Sequence, residues 1–173
     1  PAHDPATRAR RIALARQALG AGLAGKAIPL LAAMNSAAPA DAELALLHGV
    51  ALRLEQRLVE AVDVFTAALA TSARDPALLQ GLAQTRYEVG LPAAALFAEA
   101  QSASPSNLDI VRNRAAALAA EGDFAAAATM LETALADRPE WLDGHKALSV
   151  MRWTSGEAAR FALQAERLGT GHA

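Results

Sequence analysis

Small and large apolar residues recur along the chain at helical spacing. Ala27, Ala61, Ala93 and Ala127 are each followed four positions later by Leu31, Phe65, Phe97 and Leu131, and three further on by Met34, Ala68, Ala100 and Ala134. Residues three and four apart share one helical face, so each block predicts a helix with a small residue where a neighbour approaches and a large one beside it. The blocks lie 34, 32 and 34 residues apart, a period typical of stacked arrays. A second series, Ala15, Gly49, Gly81, Ala115 and Ser149, runs at 34, 32, 34 and 34 residues and marks a preceding helix in each unit. The interleaved series predict an all-α chain of ten helices in five hairpins, over 5–21, 26–36, 41–54, 57–71, 76–88, 92–103, 107–120, 123–136, 140–154 and 157–168.

The boundaries carry matching chemistry. Asp75 before Pro76, Asp123 before Phe124 and Asp41 before Ala42 read as N-caps, whose side-chain oxygens take up the free N–H groups of a first turn. Gly90, Gly122 and Gly156 stand where first helices end and a left-handed residue is favoured. Pro29 sets the second helix to begin near Lys26, because proline is tolerated only in a first turn. The units are placed at 8–41, 42–73, 74–107, 108–141 and 142–168, with the second two residues short, in one domain over 1–173. In the last helix Ala158, Phe161, Ala162, Ala165 and Leu168 line one face and Glu157, Arg160, Gln164 and Arg167 the other, the pattern of a cap with a polar outer side.

The clearest unit, Glu121-Gly122-Asp123-Phe124 leading to Ala127, Leu131, Ala134 and Pro139, resembles the tetratricopeptide repeat family, and the resemblance extends over about residues 8–168. Most units lack the Trp and Tyr of that family's first helix. The resemblance implies a right-handed α-α superhelix whose first helices line a concave groove that holds peptides. It places Leu46, Val50 and Arg53, then Leu78, Leu82, Thr85 and Arg86, then Arg112, Asn113 and Ala116, then Lys146, Val150 and Trp153 toward that groove. The expected ligand is a peptide or partner protein with an apolar anchor on Leu46, Val50, Leu78 and Leu82 and acidic groups near Arg86, Arg112 and Lys146. The alternative for the Leu residues is packing between repeats. Ile12, Arg16, Leu46 and Val50 occupy the places where the chaperone-binding members carry a Lys and Asn clamp for a terminal carboxylate, so that ligand is disfavoured.

Composition narrows the picture. Of 173 residues 47 are Ala, 4% are aromatic and 20% charged, which suits closely packed helices and excludes a β-fold and a disordered tail. With no Cys, disulfides, thiolate metal sites and Cys nucleophiles are excluded. The longest uncharged stretch, Ala27 to Ala40, is interrupted by Pro29, Asn35, Ser36 and Pro39 and cannot span a bilayer. Net charge is −2, divided between a basic start with Arg8, Arg10, Arg11 and Arg16 and an acidic remainder. Without aromatics beside them these arginines do not make a nucleic-acid or membrane surface. Fourteen Arg against two Lys point to a bacterial, GC-rich coding sequence. The first residue is Pro1 rather than Met, the mark of a processed or trimmed chain whose signal peptide is not on view; a cytoplasmic location is expected.

Catalytic signatures are absent. No glycine-rich phosphate loop, nucleophile elbow or H-E-x-x-H is present. His3 and His172 lie near the termini, while His48 and His145 fall within predicted first helices and are read as packed or solvated residues. Glu55 with Glu60, and Asp137 with Glu140, lie near helix ends, where carboxylates cap or solvate. No catalytic residue, cofactor or metal is assigned, and the chain is expected to be a non-catalytic interaction scaffold. Residues 144–157, with Trp153 and Met151, also resemble the closing repeat of bacterial repeat proteins that carry an oxygenase or sulfotransferase domain. That resemblance implies an N-terminal substrate-presenting or regulatory arm of a larger enzyme. The alternative for Trp141 and Trp153 is core filling between the last hairpins. Self-association through a terminal helix is the third possibility.

Overall fold

A computed structural model describes residues 5–72, 75–156 and 158–170, without the side chains at 5, 158, 159, 161, 162 and 170. It contains ten helices among the described residues: α1 (Pro5–Gly20), α2 (Ala24–Ala37), α3 (Ala42–Leu54), α4 (Leu58–Thr71), α5 (Pro76–Val89), α6 (Ala94–Ala103), α7 (Leu108–Ala120), α8 (Phe124–Asp137), α9 (Leu142–Thr154) and α10 (Ala158–Thr170). No strand occurs among the described residues. The repeat pattern treats the array as one domain; the helices group into two compact units, Pro1–Leu91 with α1 to α5 and Pro92–Ala173 with α6 to α10.

Within the first unit each helix packs on the next, and α3 also packs on α1 and on α5. Its tightest joint surrounds Phe65 of α4, which is fully buried. A Cβ at Gly49 of α3 would overlap the ring, and one at Gly81 of α5 would stand 2.7 Å from it. The glycines therefore leave the space that the ring fills. In the second unit α6 to α10 again pack in succession, with α7 also against α9. Ala115, Ala127, Leu131, Leu135, Leu148 and Met151 form its buried cluster, and Trp141 packs against it.

The N-caps form as the sequence predicts. Asp41 accepts from the Leu44 N–H, Asp75 from those of Ala77 and Leu78, and Asp123 from that of Ala126. Asn107 adds a fourth cap, accepting from Asp109 and Ile110 N–H groups. Two second helices lacking a side-chain cap of their own receive one from the following hairpin. Glu55, at the end of α3, accepts from the Gly25 N–H at 2.8 Å, and Glu121, at the end of α7, accepts from those of Ala93 and Ala94 at 2.8 and 2.9 Å. Each carboxylate sits at the positive end of a helix, where it is stabilised.

The two-residue shortening lies elsewhere than the Gly series places it. First helices start at Ala42, Pro76, Leu108 and Leu142, so the step from α3 to α5 is a full 34 residues and the step from α5 to α7 is 32. The left-handed turn residues Gly22, Gln56, Gly90, Gly122 and Gly156 repeat the pattern. Gly90 and Ala93 are three apart, whereas Gln56 and Ala61 are five apart. Two residues are thus missing at the entry to α6, which is 10 residues long against 14 for α4 and α8. The short unit is the third, and Ala83, fully buried, rather than Gly81 holds the place of Gly49. Two residues turn a helix by about 200°, so this shift exchanges the inner and outer faces expected for α5.

The cap reading of α10 also needs correction. Gln164, assigned to the outer face, is fully buried, while Ala165, assigned to the inner face, is exposed. Glu157 and the side chains of Ala158, Phe161 and Ala162 lie outside the described residues. The buried amide is held by hydrogen bonds to α9, which satisfy a polar group that burial would otherwise destabilise.

Candidate interaction faces

In the first unit α3 presents Leu46, Val50 and Arg53, all half-buried, and the exposed Leu54. The α5 residues expected beside them behave otherwise. Leu78 and Leu82 are buried, and so is Thr85, whose hydroxyl donates to the Gly81 carbonyl at 2.7 Å. The two leucines are core residues and offer no anchor. Arg86 is half-buried, with its Nε sealed from solvent and unpartnered. Thirty-four residues after Leu46, Val50, Arg53 and Leu54 stand Gln80, Gln84, Tyr87 and Glu88. Arg53 Nη1 donates to Glu88 Oε1 at 3.1 Å, and Gln84 Nε2 donates to the same oxygen at 3.0 Å. These residues form the shared face of α3 and α5, and the full 34-residue step was the signal for them.

In the second unit α7 carries Arg112, Asn113 and Ala116, all half-buried, and α9 carries the exposed Lys146, Val150 and Trp153. The cations here are paired. Arg112 meets Asp109 at 3.1 Å and Asp143 at 3.7 Å, and Lys146 meets Asp143 at 3.6 Å. Such surface pairs add little stability, but they balance the positive charge expected of this face. What α9 exposes is apolar: Val150 is 57% and Trp153 66% accessible. The two tryptophans therefore divide the roles expected of them. Trp141 lies over Gly144, where a Cβ would overlap its indole, and packs against the core, while Trp153 stands on the surface.

The remaining polar residues have structural partners. Arg8 bridges Asp41 and Glu43 at 2.6 and 2.8 Å, and Arg16 meets Glu43 at 2.8 Å, so part of the basic first helix is tied to α3 and the residue that caps it. Glu60 pairs with Arg57 at 2.6 Å, and the hydrogen bonds from that guanidinium hold its carboxyl below the usual range. His48 is buried on α3 with its Nδ1 unpartnered. Burial first, and the nearby Arg57 second, hold its imidazole below its ordinary value. No group of three or more His, Asp or Glu placed to hold a metal occurs among the described residues. No described helix is long and apolar enough to cross a membrane.

The fold is that of the tetratricopeptide-like helical repeat solenoid. Among solved structures the chain is similar to MamA RS-1 ArsTM double mutant, at 16% identity and TM-score 0.84 over 98% of this chain and 96% of that one. It is likewise similar to MamA of MSR-1, at 21% identity and TM-score 0.79 over 94% and 92%. A kinesin light chain of Podosopora anserina with nearly identical TPR-like repeats matches at 19% identity and TM-score 0.83 over 97% and 96%. No protein-family model and no curated protein matches the sequence.

Proposed function

We propose that the chain is a non-catalytic protein-interaction scaffold, acting in the cytoplasm, that holds peptide segments of a partner on the exposed faces of its first helices. The observation carrying this reading is the pair Val150 and Trp153 on α9, three residues apart and more than half exposed, beside Lys146. A tryptophan held on a rigid helix offers a large contact area at low entropic cost, the feature common to interaction anchors. On the second unit the proposed contacts are Arg112, Asn113, Lys146, Val150 and Trp153. On the first they are Leu46, Val50 and Arg86, joined by Gln84 and Tyr87, with Leu78 and Leu82 withdrawn because they are buried. The charge balance of both faces favours partner segments with apolar residues over strongly acidic ones.

The test is capture of partners from a native lysate by the wild-type chain and by Trp153→Ala, followed by titration of the captured protein. Loss of about 2 kcal/mol, near thirtyfold in Kd, is expected for an anchor tryptophan. Equal capture by both chains would remove α9 from the interaction face. Light scattering on the same samples reads whether a second copy is the partner.

A further inference from the structure

The last hairpin breaks the apolar pattern at three related places. In the preceding hairpin Val111, Leu118 and Met130 are buried or half-buried apolar residues. Thirty-four residues later the corresponding places hold His145, Arg152 and Gln164. These three residues bond to one another. Arg152 Nη1 donates to Gln164 Oε1 at 3.0 Å, and Gln164 Nε2 meets His145 Nδ1. His145 Nε2 lies 2.8 Å from the Pro139 carbonyl, and Arg152 Nη2 donates to Glu132 Oε1 at 2.6 Å. The chain thus joins α8, α9 and α10 through a fully buried amide and an arginine side chain only 11% exposed.

The direction of every bond is determined by its ends. A carbonyl only accepts, so the Pro139 oxygen requires a proton on His145 Nε2. A guanidinium only donates, so Arg152 requires the Gln164 oxygen on its side and leaves the amide N–H to face His145 Nδ1. Nδ1 must then accept, which it does only in the neutral ring. A second proton would set N–H against N–H, and flipping the amide would merely move the conflict to Arg152. No arrangement satisfies the imidazolium while α10 stays in place, and a buried donor left without an acceptor costs about 1–3 kcal/mol. The charged groups lining the cleft with His145 are Glu132 of α8, Arg152 of α9, and Arg160 and Arg167 of α10. Three cations against one carboxylate add repulsion to an imidazolium. Asp143, on the same helix as His145, is engaged with Arg112 and Lys146. The cleft, about 540 Å³, gives solvent protons access to the half-buried ring.

We propose that the Glu132, Arg152, Gln164 and His145 chain is a pH-sensitive clasp that seats α10 on α8 and α9 while His145 is neutral and releases it on acidification. Release uncovers Leu135 and Leu148, which the cleft lines. The sign follows from the bonding. The seated form excludes the second proton and the released form accepts it, so seating is full at neutral and higher pH and declines as the pH falls through the range where imidazole titrates.

The clasp is tested by amide hydrogen exchange on the full chain at about pH 7.5 and about pH 5.5, corrected for the intrinsic rate and read helix by helix. α10 is expected to lose about tenfold or more of its protection at the lower pH while α7 and α8 keep theirs. The triple variant His145→Val, Arg152→Leu, Gln164→Met copies the preceding hairpin and is expected to keep α10 seated at both values. His145→Leu, which cannot be protonated, is expected to remove the pH dependence even if its α10 is less protected throughout. Equal protection of wild-type α10 at both values overturns the proposal, and so does a His145→Leu chain that still loses protection on acidification. Exchange in α3 and α4 is followed separately, because His48 also titrates there.

Discussion

Two joints of this molecule solve the same packing problem by opposite means. Around Phe65 a large ring enters space left by Gly49 and Gly81, and the contact is apolar on all sides. At α10 the equivalent seating rests on His145, Arg152 and Gln164, joined by directional hydrogen bonds. The first joint tolerates any pH but no change of volume, since dispersion and burial depend on close fit. The second depends on the position of protons, since each bond needs a donor facing an acceptor. A repeat fold thus retains its shape while the chemistry of individual contacts changes from unit to unit.

The largest effect should come from breaking the apolar joint. Phe65→Ala is expected to cost about 3–5 kcal/mol in urea unfolding monitored by circular dichroism, because the ring is fully buried and its cavity is lined from α3 and α5. Loss of less than about 1 kcal/mol would show that the joint collapses around the gap.

A smaller effect, with a sign set by pH, is expected at His48 in the same unit. Its lowered folded value means that the unfolded chain takes up a proton more readily. Stability is therefore full above the ordinary imidazole value, about 6.5, and falls as the pH drops from there toward the folded value, with a slope of at most about 1.4 kcal/mol per pH unit. Unfolding midpoints between about pH 7.5 and 5.5 should converge for His48→Asn at the lower end. An unchanged slope in that variant would assign the dependence to other groups.

The smallest effect sharpens the repeat register. Gln56 holds a left-handed conformation, φ 59°, at a turn where the other hairpins use Gly22, Gly90, Gly122 and Gly156. A side chain there carries a strain of about 1 kcal/mol, so Gln56→Gly should stabilise by roughly that amount in the same urea assay. No gain would mean that the strain is already relaxed by neighbouring contacts.

Much of this was legible in the sequence. Asp41, Asp75 and Asp123 revealed three helix starts because capping is local: the acceptor and the N–H groups lie within a few residues. The small-to-large pairs ending in Leu31, Phe65, Phe97 and Leu131 revealed the second helices for the same reason. The α5 face was misread because Gly81 and Ala83 are both small, and a choice between them depends on the entry to α6, ten residues downstream of either. The Gly81 choice exposed Leu78 and Leu82 on paper and hid Gln84 and Tyr87.

Local periodicity by itself determined the ten helices, their pairing and the apolar stripe, since those follow from backbone hydrogen bonding and side chains three and four residues apart. Only the tertiary structure decided which cations are already paired, which leucines are core and where Gln164 points. Charge pairing and burial depend on groups some thirty residues apart, such as Arg53 with Glu88 or Arg8 with Asp41. A helical pattern states which residues share a face, but the neighbour that meets that face comes from another hairpin.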